Sequence, residues 1–209
     1  DGIARGMPVI PHGIGLSIGS AAHFDPQHLQ QLRRWHERLR FPWHSDHLAF
    51  HVADHGGQAI NVGITLPLAR DLATIDLIRP RVRQVQAAIP VPFLLENNVW
   101  YFDIPEAEMD EAAFLNTLCD RCGCGLLLDL HNVHTNAVNH GFDARAFIDD
   151  LDLNNVGEIH VAGGMMLDGV YLDAHSDAVP DAVPEMGYQL KLNPRELAAL
   201  LLAELPLKT

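Results

Sequence analysis

Short apolar runs that each end in a histidine or an acidic residue recur along this chain, and no other feature restricts its fold as much. PHGIGLSIG carries His12, HSDHLAF carries His47, and PFLLENN carries Glu96. GLLLDLHN holds Asp129 and Asn132, EIHVAG holds His160, and YLDAHSD holds Asp173 and His175. Most of these runs lie about 30 to 50 residues apart, the length of a strand, a crossover helix and their loops. Unbroken runs such as FLL suit strands buried on both faces, as in a parallel sheet covered by helices. Six strands are expected, at 8–18, 41–50, PVPFLLENN, GCGLLLDL, VGEIHVAG and DGVYLDAH. A closed β/α barrel has eight strands and about 250 residues. The expectation for this shorter chain is therefore one α/β domain, residues 1–209, forming a TIM-type barrel incomplete at both ends.

The intervening segments read as helices. In DPQHLQQLRRWHERL, Asp25 is a cap, Pro26 suits the first turn, and Leu29, Leu32, Trp35 and Leu39 are placed on one face. Residues 69–89 carry helical apolar spacing with Pro80 as a start or kink, and 105–121, FDARAFIDDL and NPRELAALLLAEL complete the set. HVADHGGQAINVGITLP reads as a polar, Gly-containing loop ending in a short apolar piece, and the segment just after Asp129 also reads as a loop.

In a parallel barrel, residues at the carboxyl ends of strands converge on one mouth. A carboxylate closing a buried apolar strand is costly unless it is paired, hydrogen-bonded or metal-bound. Several such carboxylates at one mouth would also repel one another. A cluster of cations removes both problems, and interleaved imidazoles add nitrogen donors. The expected metal ligands are His12, His47, Glu96, Asp129, Asn132, His160, Asp173 and His175, with Glu96 able to bridge two ions. Oxygen and nitrogen donors without sulfur suit iron, manganese or zinc better than Cu(I) or an iron–sulfur cluster. More ligands are present than one ion uses, so two or three ions are expected. His131 and His134 are placed near the mouth, where they contact substrate.

Other features exclude more than they assign. With 14 basic and 27 acidic residues the formal charge is −13, which disfavours nucleic acid. Cys119, Cys122 and Cys124 form a single CDRCGCG cluster, which lacks the second pair of a four-sulfur zinc site and reads as small buried thiols. No apolar run reaches the roughly 18 residues of a membrane helix, and DGIARGMPVIP lacks the form of a signal peptide. A cytoplasmic protein with no membrane partner is expected.

At HGIGLSIGS, SDHLAF, LLENN, GLLLDLHNVHTNAVNHGFD, EIHVAGG and the D-x-H-S-D segment, the sequence resembles the DUF692 (UPF0276) family, which includes MbnB-like and TglH-like iron enzymes of peptide natural-product biosynthesis. The match runs from about residue 8 to about residue 180. The resemblance implies a TIM barrel related to xylose isomerase and a di- or tri-iron centre. It also implies O2-dependent remodelling of cysteines in a precursor peptide, often presented by a partner protein. Carried over by motif, it implies ligation by His12, His47, Glu96, Asp129, His160, Asp173 and His175, with Asn132 in the loop where a further ligand is expected. The family's acidic IEWD-like motif has no match in PEMGYQLKLNPRELAALL. The same ligands would also serve a Zn, Mn or Mg hydrolase, lyase or isomerase, or a non-enzymatic metal- or peptide-binding module.

Overall fold

The computed structural model describes residues 7–21, 24–104, 107–175 and 178–183. A parallel five-stranded sheet forms its centre. In chain order the elements begin with β1 (His12–Gly13), α1 (Pro26–Leu39) and β2 (His44–His47). An antiparallel pair follows, β3 (Phe50–His55) and β4 (Gln58–Leu66), then α2 (Leu72–Ala88), β5 (Phe93–Glu96), α3 (Glu111–Cys122) and β6 (Gly125–Asp129). The rest comprises α4 (Leu130–His140), α5 (Ala144–Asp149), β7 (Val156–His160), β8 (Met165–Leu167) and β9 (Val170–Leu172). The central sheet runs β1-β2-β5-β6-β7, and every neighbouring pair is parallel. This is a segment of a β/α barrel, in line with the fold expected from the alternation of apolar runs and helices.

Period-two alternation sorts the strand side chains. Phe93, Leu95, Leu126, Leu128 and Ile159 point to the helices and join the core with Ile75, Ile78, Val82 and Val85 of α2 and Leu115 and Leu118 of α3. Residues at the alternate positions, including Glu96, Asp129, Glu158 and His160, face the other way. Helix starts follow local chemistry: the carboxylates of Asp25, Asp71, Asp110 and Asp143 each accept backbone N–H groups of the first turn.

Four expectations need correction. The segment expected to be a polar loop after β2 is the β3–β4 hairpin, turned by Gly56 and Gly57, both at positive φ. A Gly-Gly pair between extended arms is a hairpin signal, but Ile60, Val62 and Ile64 stay exposed, so no buried face advertises the strand. DGVYLDAH does not supply a barrel strand: β9 pairs antiparallel with β8 across Asp168-Gly169, both at positive φ. The segment after Asp129 is helix α4. In α1, Leu29 and Leu32 pack on the core while Trp35 is 50% exposed, because it falls at the edge of the stripe and His36 takes its place against Phe41. The expected helix at NPRELAALLLAEL and residue His23 lie outside the described residues.

At the start of α3, the Trp100 indole donates to Glu111 Oε2 at 3.1 Å and Arg70 Nη1 lies 3.8 Å from the same oxygen. Burial pushes the Glu111 pKa up to about 7, and the Trp100 hydrogen bond and Arg70 only partly offset it. A folded pKa raised above the unfolded one favours the fold fully below the unfolded pKa and is lost as pH rises through the folded pKa. Glu111→Gln mimics the protonated acid, so it should match the parent at low pH and exceed its stability by about 3 kcal/mol above neutral pH. Urea unfolding of both proteins across pH 4.5 to about 8 checks this. Parallel stability curves would refute it.

Candidate metal centre

Strand register assembles the mouth. His47 pairs with Glu96 across β2 and β5, and Asp129 pairs with His160 across β6 and β7. His12, from the two-residue β1, lies beside Ser45. The Glu96 carboxylate is the hub. Its Oε2 lies 3.1 Å from His12 Nε2 and 3.2 Å from His47 Nε2, and its Oε1 lies 3.4 Å from His160 Nδ1. The imidazole centroids of His47 and His160 are 4.7 and 5.0 Å from that of His12.

Two donor groups result, His12–His47–Glu96 and Glu96–Asp129–His160, each with its donor atoms within 4.8 Å of one another. Both contain Glu96. The second group is fully buried; the first opens toward solvent through His12.

Local hydrogen bonds set each donor. His47 Nδ1–H donates to the Gly13 carbonyl at 2.9 Å, which leaves Nε2 as the lone-pair nitrogen facing Glu96. His12 Nδ1 meets the Ser45 hydroxyl at 2.9 Å. Asp129 caps α4: its Oδ1 accepts from Asn132 N at 2.8 Å. Its other oxygen, Oδ2, is buried with no hydrogen-bond partner, and so is Asn132 Oδ1. Orphaned buried acceptors of this kind carry a desolvation cost that a bound cation would remove. This donor set fits a metal ion.

Electrostatics agree with the geometry. Burial disfavours a charged Glu96, yet the imidazoles packed around it, His12 and His160 first and then His47, override it and hold its pKa well below the carboxylate range. Asp129 is pushed up to about 7, first by burial and then by the Glu96 charge. The two carboxylates cannot both ionise easily without a cation beside them.

A second cluster sits beside the first. His131 Nε2 is 3.4 Å and His175 Nε2 3.0 Å from Asp173 Oδ1. Asp173 is near enough to add to the upward push on Asp129. It is held by its N–H to the Tyr101 hydroxyl at 3.1 Å, and the β8–β9 hairpin is tied to α4 through a reciprocal Asn139–Tyr171 pair. His131 is fully buried inside this cluster. His134 lies one turn on in α4, with its ring edge-on to Tyr171 at 5.3 Å.

Three supporting residues were not singled out from sequence. Asn97 clamps Asp129 by accepting its N–H at 2.8 Å and donating to its carbonyl at 3.0 Å. Asp46 is buried behind the mouth, accepting from Leu16 N at 3.4 Å, with its pKa raised to about 7, mainly by burial. A Cβ on Gly13 would fall 2.6 Å from its Oδ2, so any side chain there would displace this carboxylate. Glu158 lies beneath His160 on the same strand face. LLENN, SDHL and GEIH each show a polar residue one or two positions from a candidate ligand, which was the available signal.

His44 and His140 lie apart from the two donor groups. His44, at the far end of β2, is buried and stacks on Phe93, and burial, then His36, lowers its pKa to about 4. His140 stacks on Trp100 and donates to its carbonyl at 2.7 Å. The cysteines are buried free thiols where α3 ends and β6 begins, opposite the mouth. Burial raises the Cys122 pKa to about 11, so it stays a protonated thiol.

Comparison with known proteins places this chain in a family. The chain matches the model of the RiPP precursor modification enzymes MbnB/TglH/ChrH over residues 1–202. It is 39% identical over 183 residues to a UPF0276 protein of Streptomyces avermitilis, covering 86% of this chain and 38% of the relative. A UPF0276 protein of Chromobacterium violaceum is 38% identical over 181 residues, covering 87% of this chain and 64% of the relative. The chain thus spans less than two thirds of the length of these relatives. Among solved structures, Escherichia coli 3-keto-D-glucoside 4-epimerase YcjR superposes with a TM-score of 0.51 at 15% identity, covering 90% of this chain and 70% of that one, a likeness of fold. Among the described residues no helix is long and apolar enough to cross a membrane. The chain belongs to the MbnB/TglH/ChrH family of RiPP precursor modification enzymes.

Proposed function

We propose that this protein is a multinuclear non-haem iron enzyme that oxidatively modifies cysteine residues of a precursor peptide. The observation that carries the reading is the position of Glu96: one buried carboxylate shared by two donor groups at the mouth of a barrel. His12, His47 and Glu96 would hold one ion, and Glu96, Asp129 and His160 a second, with Asn132 Oδ1 available beside Asp129. Asp173, His131 and His175 form the candidate place for a third. Iron, when bound, supplies O2 activation and a soft-acceptor site for a thiolate.

The chain's own residues hold and orient. Gly13 and Ser45 fix imidazole orientation, the α4 N-terminus keeps one Asp129 oxygen engaged, and the first donor group leaves an open side through His12 where a peptide can approach. His134, partly exposed beside Tyr171, is placed to contact that peptide. A peptide-presenting partner protein and a cytoplasmic setting belong to the same reading.

The test uses iron-loaded protein under anaerobic conditions. A Cys-containing peptide should perturb the Mössbauer and EPR spectra, and its Cys→Ser counterpart should not, because a hydroxyl stays protonated and binds weakly. Stoichiometric zinc or manganese with equal responses to both peptides would replace this reading with a non-redox metal enzyme of the hydrolase, lyase or isomerase type.

A further inference from the structure

We infer that Glu158 is a positioning residue that sets the tautomer of His160 and so makes His160 ligate through Nδ1. Residues 158 and 160 share one face of β7, which places the glutamate directly beneath the imidazole. Glu158 Oε1 lies 3.3 Å from His160 Nε2, while His160 Nδ1 points to Glu96 Oε1 at 3.4 Å. An Nε2–H donating to Glu158 leaves the lone pair on Nδ1, the nitrogen inside the Glu96–Asp129–His160 donor group.

Glu158 lies outside that donor group, and each of its oxygens meets a hydrogen-bond donor. Oε2 accepts from the Trp43 indole N–H at 2.8 Å, so Trp43, entering from just before β2, fixes the carboxylate that fixes the histidine. The carboxylate is buried, and so is the ring it holds. Carboxylate–histidine–metal relays of this kind orient the ring and raise its basicity. His47 has a backbone carbonyl in the same role, and His160 is given a carboxylate. The charged acceptor stands in the fully buried half of the site.

The inference rests on the metal reading above, and its test uses zinc as the probe so that iron and O2 chemistry do not enter. Glutamine offers one carbonyl oxygen to two donors, the Trp43 indole and His160. Glu158→Gln should weaken zinc binding by about 10- to 100-fold in a chelator competition. Adding Trp43→Phe removes the competing donor and should restore much of the lost affinity. That recovery separates positioning from simple damage, since a second substitution in the same contact would otherwise lower stability further. Long-range 1H–15N correlation spectra of the zinc-loaded parent should show His160 protonated at Nε2 and metal-bound at Nδ1. Ligation through Nε2, or unchanged zinc affinity in a folded Glu158→Gln, overturns the inference. A protein that binds no zinc at all in the parent overturns the metal reading instead.

Discussion

Glu96→Ala should leave the barrel segment folded and strip the metal from its mouth. The carboxylate belongs to both donor groups, so a single substitution removes a ligand from each ion. Loss of affinity should exceed about 100-fold, because even partners that only orient a ligand are worth 10- to 100-fold. The consequence for stability is indirect. A metal that binds only the folded state raises stability with its concentration, so added metal should raise the melting temperature of the parent and leave that of Glu96→Ala unchanged. Glu96→Gln keeps the volume and one acceptor but not the charge, and should fall between them. Metal content by elemental analysis, with melts at several metal concentrations, provides the measurement. A folded Glu96→Ala carrying a full complement of metal would remove Glu96 from the site.

Arg81→Ala should cost about 3 kcal/mol, the range expected when a buried charged donor to backbone carbonyls is deleted. Arg81, on α2, is 9% exposed; its Nη1 donates to the Ile18 carbonyl at 2.7 Å and to the Ser20 carbonyl, with the guanidinium 5.6 Å from the Phe24 ring centroid. Truncation leaves the Ile18 carbonyl in an apolar setting and a cavity the size of the side chain. The same loop runs back to Gly13, whose carbonyl orients His47, so metal binding should weaken as well. Arg81→Lys retains one charged donor without the planar fork and should recover only part of the loss. Urea unfolding with an unchanged m-value reads the stability effect. A cost below about 1 kcal/mol would show that the loop resolvates its carbonyls and does not depend on the arginine.

Much of the site was legible because barrel geometry converts a local pattern into a shared location. Each of His47, Glu96, Asp129 and His160 closes its strand, and the apolar residues before Glu96, Asp129 and His160 indicate it. Asp25 as a helix cap was equally readable, since capping acts over two or three residues. Asp173 and His175 were legible by motif and misplaced by architecture. They come from the end of a small hairpin, and the Asp-Gly turn that makes it was read as the lead-in to a barrel strand.

The sequence by itself determined the buried strands of the central sheet, the helices between them and the donor chemistry of the mouth, because these depend on residue identity and on spacings of two to four positions. Only the tertiary structure decided which donors meet. That Glu96 lies between two groups follows from the registers His47↔Glu96 and Asp129↔His160, which join residues 31 to 49 positions apart. That Asp129 has one free oxygen, that Glu158 holds His160, and that His131 is buried against Asp173 depend on side-chain directions. Packing of the helices against the outer face of the sheet sets those directions, and no local pattern in the chain carries that information.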